Sequence, residues 1–298
     1  MPLDIMFVFT ANPEDYTNRG SIVTPLKDRI ESQILTHYPK NIEDALAITE
    51  QEADIIEEQT EKVKVSDLVK RLIEQVAFEA RASELVDQKS GVSARLPIAA
   101  FENAVSAAER RAIINKEKDT QVWISDLTGI IPSVTGKVEL VYEGEQEGPY
   151  QVAFNLLNKA IRTLFVQYFP NPDGLKKRRT SQKEAAAPHN PYRPIITWFD
   201  SGNALDILFN VKDKDKIQLL YKVEGLYGLV KKTFPHANEK ENALLMELIL
   251  HGLSSYSLIS KKVLDGKIEF KDLMGSMLNM GRETSSFEDE EGFGQEGY

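Results

Sequence analysis

Apolar residues recur along the chain in three rhythms. Ile5-Met6-Phe7-Val8-Phe9 is a continuous run, the pattern of a strand buried on both faces of a parallel sheet. It ends in a polar turn at Thr10-Ala11-Asn12. Ligands of such sheets sit beyond the carboxyl ends of the strands, so Asn12 occupies a position suited to chemistry. Ile34, Thr36 and Tyr38 alternate instead, predicting a short strand within 30–39 that stops at Pro39.

Helical periodicity follows. Thr49-Glu50-Gln51-Glu52 has capping-box spacing and predicts a helix to about Glu61. Ser66 can cap the next helix, whose face carries Leu68, Val69, Leu72, Ile73, Val76 and Ala80. After a turn at Lys89-Ser90-Gly91, a third helix is expected over about 93–116. Pro97 falls in its first turn, and Ile98, Phe101, Val105 and Ala108 form its stripe. Residues 131–142 suggest a turn and a strand, followed by an acidic, glycine-punctuated segment at 143–148. A helix over about 150–169 then carries Val152, Leu156, Leu157, Ile161, Leu164 and Phe165.

The remaining third is less regular. Prolines, Gly174 and the basic cluster Lys176-Lys177-Arg178-Arg179 make 170–194 a candidate linker. A short strand is expected at 195–199, a turn at 201–203, and either helix or strand around Leu205, Leu208 and Phe209. Helices are expected over about 217–233 and 239–253, with a short one near 270–280. Residues 283–298 are rich in acid and glycine and contain no basic side chain, the composition of a disordered tail.

Composition narrows the chemistry. The formal charge is −10 over 298 residues, which argues against nucleic acid and against an anionic membrane surface as partners. No cysteine is present, so disulfides and thiolate metal sites are excluded. No apolar stretch approaches a membrane span and no signal peptide is evident, so a cytoplasmic protein is expected. The four histidines, His37, His189, His236 and His251, are scattered, and none has a partner at metal-ligand spacing. Glu143, Glu145 and Glu147 lack the EF-hand pattern and read as a solvated acidic turn.

Three segments carry a resemblance. Phe7-Val8-Phe9-Thr10-Ala11-Asn12-Pro13, then Pro25-Leu26-Lys27-Asp28-Arg29, then Gly91-Val92-Ser93-Ala94-Arg95 occur in this order. They resemble the sensor-1 strand, arginine-finger box and sensor-2 motif of AAA+ ATPases, closest to the MoxR and magnesium-chelatase ATPase-subunit branch. The resemblance covers about the first 170 residues. It implies that Asn12 helps place the attacking water, that Arg29 reaches a neighbouring subunit's nucleotide, and that Arg95 contacts nucleotide phosphate. The residue types suit those roles: Asn can orient water, and Arg is a permanent planar charge able to stabilise a transferring phosphoryl group. A helix N-terminus behind Arg95 adds donors and positive potential for an anion.

The chain has no P-loop. Ser133-Val134-Thr135-Gly136-Lys137-Val138 is the nearest look-alike, but it lacks the first glycine, and Val138 cannot coordinate Mg²⁺. No Walker B run precedes Asn12. The expected fold is therefore mainly α with a small β component. It comprises a remnant of the AAA+ α/β nucleotide-binding sheet (1–45), a helical lid (46–125), a lid extension (126–169), a linker (170–194), a mainly helical C-terminal region (195–282) and the acidic tail (283–298).

The resemblance implies the C-terminal portion of a ring-forming ATPase that remodels a partner or drives metal insertion. ATP and Mg²⁺ would belong to the parent assembly, with none bound by this chain alone. The implied partners are identical subunits or a P-loop subunit, and a protein with a von Willebrand A-type domain. The alternative is a non-enzymatic adaptor, or a split subunit completed by a separate P-loop chain.

Overall fold

A computed structural model describes residues 5–10, 28–177 and 190–273. Asn12, Arg178, Arg179, most of the helix expected near 270–280 and the acidic tail lie outside the described residues. The chain divides into two units, Met1–Pro39 and Lys40–Tyr298.

In the first unit the expected strands are not formed among the described residues. Residues 5–10 and 30–39 adopt no strand, and Ile5, Met6, Phe7, Val8 and Phe9 are all exposed. An apolar run becomes a buried strand only when neighbouring strands pair with it. No strand pairs with either segment among the described residues.

The second unit is mainly helical. Its elements are α1 (Ile42–Glu52), α2 (Glu57–Lys62), β1 (Val63–Lys64), α3 (Asp67–Arg81), α4 (Leu96–Asn115), β2 (Thr120–Gln121), a 3₁₀ turn (Ser125–Ile130), α5 (Ile131–Thr135), α6 (Tyr142–Glu147), α7 (Pro149–Tyr168), α8 (Pro172–Lys177), α9 (Arg193–Asp200), β3 (Leu205–Leu208), α10 (Asp213–Tyr221), α11 (Leu226–Thr233), α12 (Glu239–Ser255), β4 (Ser260–Leu264) and β5 (Lys267–Lys271). β1 and β2 form a short parallel pair, and β3-β5-β4 is an antiparallel sheet.

Several helices follow the apolar periodicity. Ser66 caps α3 by accepting from the Val69 amide, and the six expected apolar residues of α3 are buried. α4 starts three residues later than expected because the chain turns through Ser93 and Arg95 first; Val105 and Ala108 are buried, Ile98 and Phe101 half-buried. All six stripe residues of α7 are buried. α12 is buried on nearly every side from Asn242 to Leu253 and begins with a capping box between Asn238 and Glu241.

Other elements differ from the sequence reading. The first helix begins at Asn41, whose side chain accepts from the Asp44 amide; Thr49 lies in its last turn and donates to buried Glu74 at 2.6 Å. The capping-box spacing there thus serves a tertiary hydrogen bond. The strand expected in 131–142 is reduced to single bridges, Val86 with Leu140 and Val92 with Val138, because Pro132 sits in the first turn of α5. Residues 142–147 are helical, not an acidic loop. Residues 195–199 are helical too: Ile195 and Phe199, four apart, are both buried, and Pro194 occupies the first turn of α9. Gly225, at φ 81°, splits the helix expected over 217–233; a Cβ there would meet Pro194 at 2.6 Å. Phe270 belongs to a strand, and Asp265-Gly266 forms the two-residue turn of a hairpin.

One apolar core runs from Val63 to Phe270, crossing the boundaries expected at 125, 169 and 194. α3 packs on α1, α4 and α7; α7 packs in turn on α12. At that last contact Gly252 admits the Phe165 ring so closely that an added Cβ would lie 2.2 Å from it. The ends of the expected linker are anchored: Tyr192 is fully buried and donates its hydroxyl to the Pro170 carbonyl at 2.5 Å.

Candidate functional site

The Arg95 turn is held by backbone pairing. Residues 85–93 run antiparallel to 137–141. The Asp87 amide donates to Glu139 O (2.9 Å), the Ser93 amide to Lys137 O (3.3 Å) and the Val141 amide to Leu85 O (3.1 Å). Asp87 braces the intervening turn by accepting from the Lys89 amide and the Ser90 hydroxyl, which hold its carboxyl below the usual range. The Ser93 hydroxyl accepts from the Arg95 amide at 3.2 Å, and the Ser93 carbonyl from the Leu96 amide at 3.0 Å. Ser93 therefore shapes the entry to α4, while Arg95 occupies the N-cap position itself.

The Arg95 side chain is exposed, and among the described residues it makes no hydrogen bond or ion pair. A helix start carries positive potential, so a cation there has the wrong sign for helix stability. Among the described residues no side chain pairs with this charge. An anion would benefit from both the guanidinium and the helix end.

The other two sequence-predicted residues belong to the first unit. Arg29 sits in an exposed turn beside Asp28 and makes no side-chain hydrogen bond among the described residues. Asn12 lies outside the described residues. Arg29 and Arg95 are in different units.

The sequence reading passed over a buried charge network at the other end of α4. Arg111, 1% exposed, uses its whole guanidinium. Nε and Nη2 reach the two Asp126 oxygens at 3.1 and 3.0 Å, Nη1 reaches Asp213 Oδ1 at 2.6 Å, and Nη2 also donates to Thr120 Oγ1 and Gln121 O. Burial works against the charge of Arg111, but Asp126 and Asp213 outweigh it and raise its pKa. Asp213 also accepts from Trp123 Nε1 at 2.8 Å and from Thr120. Close by, fully buried Lys216 donates to Ser125 Oγ at 2.5 Å, lies over the Trp123 ring and stands 3.6 Å from Glu247. Burial lowers its pKa, and Glu247 opposes that shift. Glu247 itself accepts from the Ile124 and Ser125 amides.

A Lys–Ser contact is the arrangement of an activated nucleophile. Ser125, however, is 2% exposed, and its partners are committed to one another. The network holds α4, the 120–126 segment, α10 and α12 together. One signal of it was legible: Arg111 falls on the buried stripe of α4 with Ala104 and Ala108, while adjacent Arg110 is exposed.

A small apolar cavity of about 10 Å³ is lined by Val134, Val138, Leu140, Val152 and Leu156 among others. That is room for about one water. Among the described residues no cluster of three or more His, Asp or Glu is placed to hold a metal ion. No described helix is long and apolar enough to cross a membrane. Comparison of the chain with protein families, with curated proteins and with solved structures returned no match.

Proposed function

We propose that this chain is the sensor-and-lid portion of a ring-forming AAA+ ATPase resembling the MoxR and magnesium-chelatase branch, and that it works in the cytoplasm. The observation that supports this reading is Arg95: an exposed guanidinium with no protein partner among the described residues, set at the start of a 20-residue helix on a turn braced by backbone hydrogen bonds. That geometry suits a phosphate oxygen. In this reading Arg95 binds nucleotide phosphate and Asn12 orients the attacking water. Arg29 stabilises the charge developing on the phosphoryl group bound by a neighbouring subunit.

The phosphates and Mg²⁺ must be cradled by residues outside these 298, because the sequence holds no P-loop. The cycle would remodel a partner, including one with a von Willebrand A-type domain, or drive metal insertion.

A second reading, a non-enzymatic adaptor or split subunit, is favoured by the exposed apolar residues Ile5 to Phe9. An uncovered run of that length is a docking element for another protein.

Turnover and co-purification together separate the ATPase readings, portion or split subunit, from the adaptor. The chain alone with ATP and Mg²⁺ should give none. With a co-purifying P-loop subunit it should complete an ATPase, and Arg29→Ala should lower kcat by on the order of 10³. Survival of the rate within about threefold, against a loss on the order of 10³ for a finger, would remove Arg29 from the mechanism. Absence of any P-loop partner in the purified complex would favour the adaptor.

A further inference from the structure

We propose that the β4–β5 hairpin is an acid-labile flap, released from α12, α7 and the β3 edge it pairs with when His251 takes up a proton. This inference is independent of the ATPase reading. It begins with strand register. Lys261 pairs with Phe270 and Val263 with Ile268, and directly opposed residues of an antiparallel pair share a face. Ile268 and Phe270 are fully buried, so Lys261 is on the inward face. Its amine reaches Asn158 Oδ1 on α7 at 2.6 Å and lies 5.1 Å from the Phe154 ring centre. Among the described residues it has no carboxylate partner, and burial pushes its pKa down to about 8.

His251 of α12 packs on Phe270, ring against ring at 5.2 Å and nearly perpendicular. It is 3% exposed, and neither ring nitrogen has a hydrogen-bond partner. A buried imidazole with two idle nitrogens is tolerated only while neutral. Burial holds its pKa well below the ordinary value, and the charges of Lys261 and Lys216 push in the same direction.

The surrounding charges offer no relief. β4 contributes Lys261 and α10 contributes Lys216. Glu247, one turn back on α12, is committed to Lys216 and to the Ile124 and Ser125 amides. Arg162 of α7 is engaged with Ser255 O and Asp173. Lys231 and Lys232 of α11 are exposed, and Glu269 of β5 is paired with Lys271 and Lys267. Protonated His251 would add a third positive charge beside two lysines. Undocking the hairpin opens the ring to water, where it titrates near 6.5.

The sign follows from linkage. A histidine depressed in the docked state stabilises docking above about pH 6.5 and loses that contribution as pH falls below it. Lys261, also depressed, makes docking strengthen as pH rises from about 8 toward 10.5.

Hydrogen exchange on the full chain, corrected for intrinsic rates, tests this at pH 7.5 and 5.5. The opening equilibrium of amides 260–271 should rise about tenfold at pH 5.5, one unit below the free histidine value, while α3 amides hold. His251→Phe should abolish the rise, and Lys261→Met should keep it. The same rise in His251→Phe, or no hairpin-specific rise in the unaltered protein, would overturn the proposal. Should His251→Phe fail to fold, the ring proton shifts of His251 in the unaltered protein decide. An ordinary midpoint near 6.5 with the hairpin still protected would sink the idea. No titration in the docked form down to pH 5.5 supports it.

Discussion

The two ends of α4 carry two arginines with opposite fates. Arg95 opens the helix, exposed and without a partner among the described residues. Arg111, four turns on, is sealed in the core with every nitrogen engaged. The same side chain thus meets two environments, and satisfaction of its donors distinguishes them. A guanidinium whose fork is filled by protein carboxylates holds the fold. One left open at a helix start is available to a ligand.

Three substitutions probe that contrast. The largest effect is expected from Arg111→Met, which strands Asp126 and Asp213 in the core. Removing one partner of a buried pair costs about 3–5 kcal/mol, and denaturant titration should show the loss as a lower midpoint. Arg111→Lys keeps the charge but loses the fork that spans Asp126, Asp213, Thr120 and Gln121. It should cost less, about 1–3 kcal/mol, the range for leaving buried polar groups unpaired. Were the lysine variant as stable as the parent, the bidentate geometry would be irrelevant. Arg95→Ala should leave stability within about 0.5 kcal/mol, as for a surface residue without protein contacts. A larger loss would mean that Arg95 is part of the fold and not an open anion ligand.

Legibility in the sequence tracked the range of the interactions. α3, α7 and α12 were readable because their stripes repeat every three or four residues and their buried faces are local patterns. The Arg95 turn was readable for the same reason, since Ser93 and Pro97 act within one helical turn of it. α9 was missed because Ile195, Ile196 and Thr197 favour strands by propensity, whereas packing of Ile195 and Phe199 on one face selected a helix. The hairpin was missed, since a helix was expected around Phe270, although Asp265-Gly266 is a two-residue turn pair. The Arg111 network had almost no local signature. Asp213 is 102 residues from Arg111, and Glu247 is 123 from the Ile124 amide it accepts from.

That separation has a kinetic consequence. The Arg111–Asp213 pair closes a loop that pays its chain entropy before the ion pair forms. The helices α3, α4 and α7 can collapse on one another first, since their contacts are shorter in sequence. If the Asp213 arm closes only after that collapse, breaking it should leave the refolding rate nearly unchanged and accelerate unfolding. In that sense Asp213 acts as a latch: it sets how long the folded chain lasts, with little influence on how quickly it forms.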